Sequence, residues 1–95
     1  MATYVLLSRI EPEVTGDADS FRRIADTVKQ TIRKECPGVT WKDSYVTFGR
    51  FDVVDIFEAP DETTAQRVAM IIRRHGHTKT ETMLAIPWKE FLANL

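Results

Sequence analysis

The run Phe48-Gly49-Arg50-Phe51-Asp52-Val53-Val54-Asp55-Ile56-Phe57-Glu58-Ala59-Pro60-Asp61 constrains the fold of this chain more than any other stretch. Gly49-Arg50 sits between two apolar, strand-like runs. Glycine at the first central position suits a two-residue type II′ turn, because glycine enters positive φ without a side-chain clash. Val53 to Phe57 is rich in β-branched and aromatic residues and reads as a strand. Pro60 cannot continue that strand, and Asp61 is a good cap for a following helix.

The flanking sequence completes the order of elements. Thr3 to Arg9 reads as a strand, apolar on both faces at Tyr4, Val5, Leu6 and Leu7, which suits a central position. Glu11 to Asp19 is turn-like, with Pro12 and Gly16. Phe21, Ile24, Ala25, Val28 and Ile32 recur at helical spacing, which predicts a helix over Ala18 to Glu35, stopped by Cys36-Pro37-Gly38. A second strand is expected over Val39 to Phe48 and a third over Asp52 to Glu58. A second helix follows, Glu62 to His75, with Gly76 at its C′ position. His77 to Ile86 reads as the fourth strand, with Lys79 and Glu81 as the charges of an edge. Trp88, Phe91, Leu92 and Leu95 share one side of a short C-terminal helix.

The order β-α-β-β-α-β predicts an α+β fold, the ferredoxin-like plait: a four-stranded antiparallel sheet with both helices on one face. With 95 residues the chain has room for one domain and one modest core. The other sheet face is then left without cover. Residues alternate along the third strand, so Val54 and Ile56 toward the helices would put Val53, Asp55 and Phe57 on the uncovered side. An aspartate between valine and phenylalanine needs solvent, a partner or a proton. Two readings stand for Asp55: solvation or an ion pair with Arg9, Lys42 or Arg50, or a place in a small pocket against a polar ligand. Arg9, Tyr45 and Trp41 are the accompanying ligand-binding candidates. Face-to-face pairing of two copies would cover an apolar sheet face and predicts a homodimer.

Composition and motifs narrow the chemistry. Thirteen basic against fourteen acidic residues give a formal charge of −1, which argues against nucleic acid and anionic membrane as partners. The lone Cys36 forms no intramolecular disulfide, and with no signal-peptide pattern the expected compartment is the cytoplasm. No phosphate loop, nucleophile elbow or H-E-x-x-H helix occurs, and no cofactor and no catalytic residue is expected from motifs. His75-Gly76-His77 is the one histidine pair. It straddles a helix end and lacks further ligands nearby, so no metal site is expected.

The stretch from Gly49 to Val54, ending in Glu58-Ala59-Pro60-Asp61, resembles the GYD-domain family. Gly76-His77-Thr78-Lys79-Thr80-Glu81-Thr82 is similar to the Gly-x-x-x-Thr-Glu-Thr segment of that family, and Thr3-Tyr4-Val5-Leu6-Leu7 is similar to its start. The resemblance spans nearly the whole chain. It implies a small bacterial or archaeal protein of the dimeric α/β-barrel type, and it implies no known reaction. Gly49, Arg50, Phe51 and Asp52 carry the motif, with Gly49 expected to serve the turn and Asp52 to supply hydrogen bonds that fix the hairpin. Phe51 departs from the tyrosine common in the family, so that hydroxyl is absent. The functional expectation is a homodimeric small-molecule-binding or assembly domain. By fold analogy the alternative is a cofactor-free enzyme, monooxygenase- or isomerase-like, with Asp55 or a histidine as acid or base.

Overall fold

The structure, a computed structural model, describes residues 1–12 and 16–95. Its elements are β1 (Ala2–Ile10), α1 (Ala18–Glu35), β2 (Thr40–Val46), β3 (Val53–Ala59), α2 (Glu62–Gly76), β4 (Thr78–Ala85) and α3 (Trp88–Ala93). The strands form one antiparallel sheet in the order β2-β3-β1-β4. β1 is central, in keeping with its two apolar faces, and β4 is an edge. This is the expected ferredoxin-like arrangement. The expected turn over Glu11 to Asp19 lies partly outside the described residues.

Local chemistry sets the helix ends. Asp17 caps α1, its carboxylate accepting from Asp19 N at 3.2 Å and from Ser20 Oγ at 2.7 Å. Asp61 caps α2 by accepting from Thr64 N at 2.7 Å. Arg33 and Lys34 end α1, and Arg73, Arg74 and His75 end α2, where cations meet the negative end of the helix.

The core lies between the sheet and α2. Leu6, Phe57 and Val68 are fully buried, joined by Tyr4, Ala59, Ala65, Ala69 and Ile72. Three rings cross the sheet in a row: Phe57 stacks on Trp41 at 5.2 Å on one side and on Tyr4 at 5.7 Å on the other. The three alanines let α2 approach closely. In contrast, α1 leans on α2 and scarcely touches the strands. Its C-terminal end is sealed by Ile32 and Cys36, whereas Phe21 nearer its start is exposed.

Three expectations are corrected. The first concerns the hairpin. β2 ends at Val46 and β3 starts at Val53, so the connection is six residues long, not the two-residue Gly49-Arg50 turn. Thr47 closes it by donating from N to Asp52 O at 2.9 Å and from Oγ1 to Phe51 O at 2.7 Å, and other groups of the connection bond to β1. Asp52 N donates to Ser8 O at 2.8 Å, and the Asp52 carboxylate accepts from Ile10 N at 2.8 Å. The Arg9 guanidinium donates to Arg50 O at 3.0 and 2.8 Å. Gly49 still takes a positive φ of 148° that only glycine adopts freely.

The second correction concerns the end of α2. Gly76 is its last helical residue, and His77 takes the left-handed conformation, with φ 53° and ψ 52°. The third concerns the sheet faces. Asp55, Phe57 and Ala59 point toward the helices, and Val54, Ile56 and Glu58 point away, the reverse of the expected orientation of this strand. Alternation fixed which residues travel together. Register with Tyr4, Leu6 and Ser8, the buried set of β1, fixed which way they face.

Candidate ligand cleft under the first helix

Because α1 stands off the strands, a cleft of about 740 Å³ opens between them. Phe21, Ile24, Val28 and Ile32 line its helix side; Ser8, Val53, Trp41, Ser44 and Asp55 line the sheet side; Lys29 and Arg33 sit at the lip. The volume lies in the range of small-molecule sites, which are mostly apolar with a few placed polar groups.

Those polar groups form a directed chain. Trp41 Nε1 donates to Ser44 Oγ at 2.8 Å, and Ser44 Oγ donates to Asp55 Oδ1 at 2.6 Å. An indole N–H donates only, so Ser44 Oγ accepts there, and its own proton is directed at Asp55 Oδ1. Asp55 is 8% exposed, and its Oδ2 has no partner among the described residues. Burial pushes the Asp55 carboxyl above its usual 3.8, while the Ser44 hydrogen bond pulls the other way and is the weaker influence. Ser8 Oγ is buried on the neighbouring strand and is also unpartnered.

A β-bulge makes this chain. The pairing shifts between Trp41 and Asp43, leaving Lys42 as the extra residue. Strict alternation would place Trp41 and Tyr45 on one face. With the bulge, Trp41 and Ser44 share the cleft face, and Tyr45 turns to the other, opposite Val54. Of the four candidates named from the sequence, the structure thus brings Asp55 and Trp41 together. It places Tyr45 and Arg9 on the far face of the sheet. Arg9 is occupied at the hairpin, with its guanidinium 6.0 Å from the Phe51 ring centroid. None of the ion pairs considered for Asp55 forms: Lys42 instead meets Glu58 at 3.7 Å. Ser44 and Ser8 escaped the sequence reading. The bulge that turns Ser44 inward leaves no mark in a period-two pattern.

The other reactive side chains lie apart from this carboxyl chemistry. Cys36 lines the cleft wall as a buried thiol whose pKa is raised, chiefly by burial. His75 and His77 are not among the described lining residues, and no group of three metal-ligating side chains occurs among the described residues. Among those residues no helix is long and apolar enough to cross a membrane.

Residues 4–95 match the GYD domain model. The chain belongs to the GYD-domain family. Among curated relatives this GYD chain is similar to the glutamine synthetase and cystathionine beta-lyase binding protein of Thermus thermophilus, 27% identical over 95 residues that span 100% of this chain and 99% of the relative. Among solved structures it is similar to a Thermus thermophilus crystal structure, with a TM-score of 0.57 and 21% identity over 90% of this chain and 94% of that one. It is also similar to a de novo designed protein with a ferredoxin fold, with a TM-score of 0.52 and 13% identity over 92% and 86% of the two chains. At these identities the structural likenesses speak to the fold alone.

Proposed function

We propose that this GYD-domain chain is a homodimeric binding domain that takes a small molecule in the cleft under α1 and performs no covalent chemistry on it. The observation that carries the reading is the cleft itself: about 740 Å³, largely apolar, with one carboxyl oxygen of Asp55 at its wall that no described residue partners. Its described lining offers no histidine, and its thiol is the wrong kind for a nucleophile, buried with a raised pKa. The dimer surface in this reading is the open sheet face, where Val5, Leu7, Val54 and Ile56 stand between the exposed side chains of Tyr45 and Met83. An apolar sheet face of this kind calls for cover. Native mass spectrometry on protein purified without added ligand tests both parts. A dimer with extra mass supports the reading; a monomer removes the dimer.

A second reading, assembly with another protein, is favoured by α3. Trp88, Phe91, Leu92 and Leu95 are 70%, 45%, 47% and 84% exposed, an apolar strip that the described residues leave largely open. The similar Thermus protein is named for binding two enzymes. Pull-down of purified glutamine synthetase by this chain, with and without Trp88→Ala, tests that role. The enzymatic alternative rests on Asp55, whose pKa burial raises, as acid or base. Turnover of an identified ligand that persists in Asp55→Asn excludes catalysis by Asp55.

A further inference from the structure

We infer that the cleft under α1 selects an uncharged, mainly apolar molecule carrying a hydroxyl group, which bonds to Asp55 Oδ2. This rests on the binding role proposed above and names its ligand class. The reasoning starts from the directed chain. Trp41 Nε1–H fills one lone pair of Ser44 Oγ, and the Ser44 proton goes to Asp55 Oδ1. With Oδ1 accepting from Ser44, Oδ2 is the oxygen open to a proton when Asp55 is neutral. Oδ2 is the oxygen without a partner among the described residues. A ligand thus meets a donor when Asp55 is neutral and an acceptor when it is ionised.

A hydroxyl satisfies both states, since it donates and accepts. A ketone satisfies only the neutral state, and an ammonium only the ionised one. Charge narrows the class further. Lys29 and Arg33 at the lip oppose entry of a cation. A carboxylate would have to settle beside a buried carboxyl, which is costly. The remainder of the wall, from Phe21, Ile24 and Val28, offers apolar contact only. Ser8 Oγ, also unpartnered, lies on the same sheet face two residues along from the Asp55 pairing position.

The test is titration of the full chain with four probes, 1-naphthol, 1-methylnaphthalene, 1-naphthoate and 1-naphthylmethylammonium, read by calorimetry and by the two tryptophan indole N–H resonances. The expected result is that naphthol binds about tenfold more tightly than methylnaphthalene, the gain of one buried hydrogen bond. The Trp41 indole signal shifts on binding, because its chain ends on the bonded carboxyl. That of Trp88, out on α3, stays in place. In Asp55→Leu, which removes the carboxyl and keeps an apolar wall, naphthol and methylnaphthalene bind equally. Equal affinities in the unaltered protein, or tighter binding of either charged probe, overturn the hydroxyl assignment and leave the binding role standing. Absence of binding by all four overturns both.

Discussion

Ser44 Oγ lies 2.6 Å from Asp55 Oδ1, across neighbouring strands, and holds in place a carboxyl that burial would otherwise leave poorly solvated. This pair governs how the domain responds to pH. The Asp55 pKa is raised in the folded state, so between 3.8 and the folded value the folded chain keeps a proton that the unfolded chain releases. Its contribution to stability is therefore fully present below about 3.8 and is lost as pH rises through the folded pKa. Asp55→Asn keeps the acceptor for Ser44 and removes the titration. Its melting temperature, compared with that of the parent from about pH 3.5 to about 7.5, is expected to gain on the parent as pH rises. A difference that is flat with pH would count against a raised Asp55.

Asp52 ties the β2–β3 connection to the central strand through Ile10 N and Ser8 O. Asp52→Ala deletes a charge-assisted bond to a partly buried amide, at a cost of about 1.5–3 kcal/mol by urea unfolding. Asp52→Asn keeps an acceptor and costs less. Hydrogen exchange at the Ile10 amide should accelerate in the alanine variant.

The end of α2 has its glycine one residue early. A Cβ at Gly76 would meet Val28 Cγ2 at 3.6 Å and Thr78 Cγ2 at 3.7 Å, ordinary contacts, so Gly76→Ala is expected to stabilise by about 0.5–1 kcal/mol through helix propensity. His77 holds φ 53°, a conformation that costs a non-glycine residue about 1 kcal/mol, and His77→Gly should recover roughly that amount. Loss of stability in His77→Gly would show that the imidazole makes a compensating contribution.

Val54 lies on the open face opposite Tyr45 and Leu7, outside the core. Val54→Lys should leave the circular dichroism spectrum unchanged and turn a sheet-paired dimer into monomer by sedimentation velocity. A dimer that survives this change pairs through some other surface.

Much of the architecture was legible because it follows from short-range rules. The apolar run Tyr4 to Leu7 specified a central strand, the stripe from Phe21 to Ile32 specified α1, and Asp61 after Pro60 specified the start of α2. The end of α2 was misplaced by one residue because glycine preference is statistical, whereas the left-handed residue is chosen by where the chain must turn into β4. The hairpin length was misread for a related reason. Asp52 and Arg50 bond to residues about forty positions away, and a local pattern carries no trace of such partners.

The candidate site divides in the same way. By itself the sequence determined that an aspartate sits within an apolar strand and travels with Phe57 on one face, since side-chain alternation is a property of the strand alone. Only the tertiary structure decided that this face looks across a cleft to α1, that a bulge at Lys42 brings Ser44 and Trp41 to Asp55, and that Tyr45 and Arg9 lie opposite. Register between strands and the stand-off of a helix are set by the packing of distant side chains, and a one-residue shift in pairing exchanges the two faces of a strand.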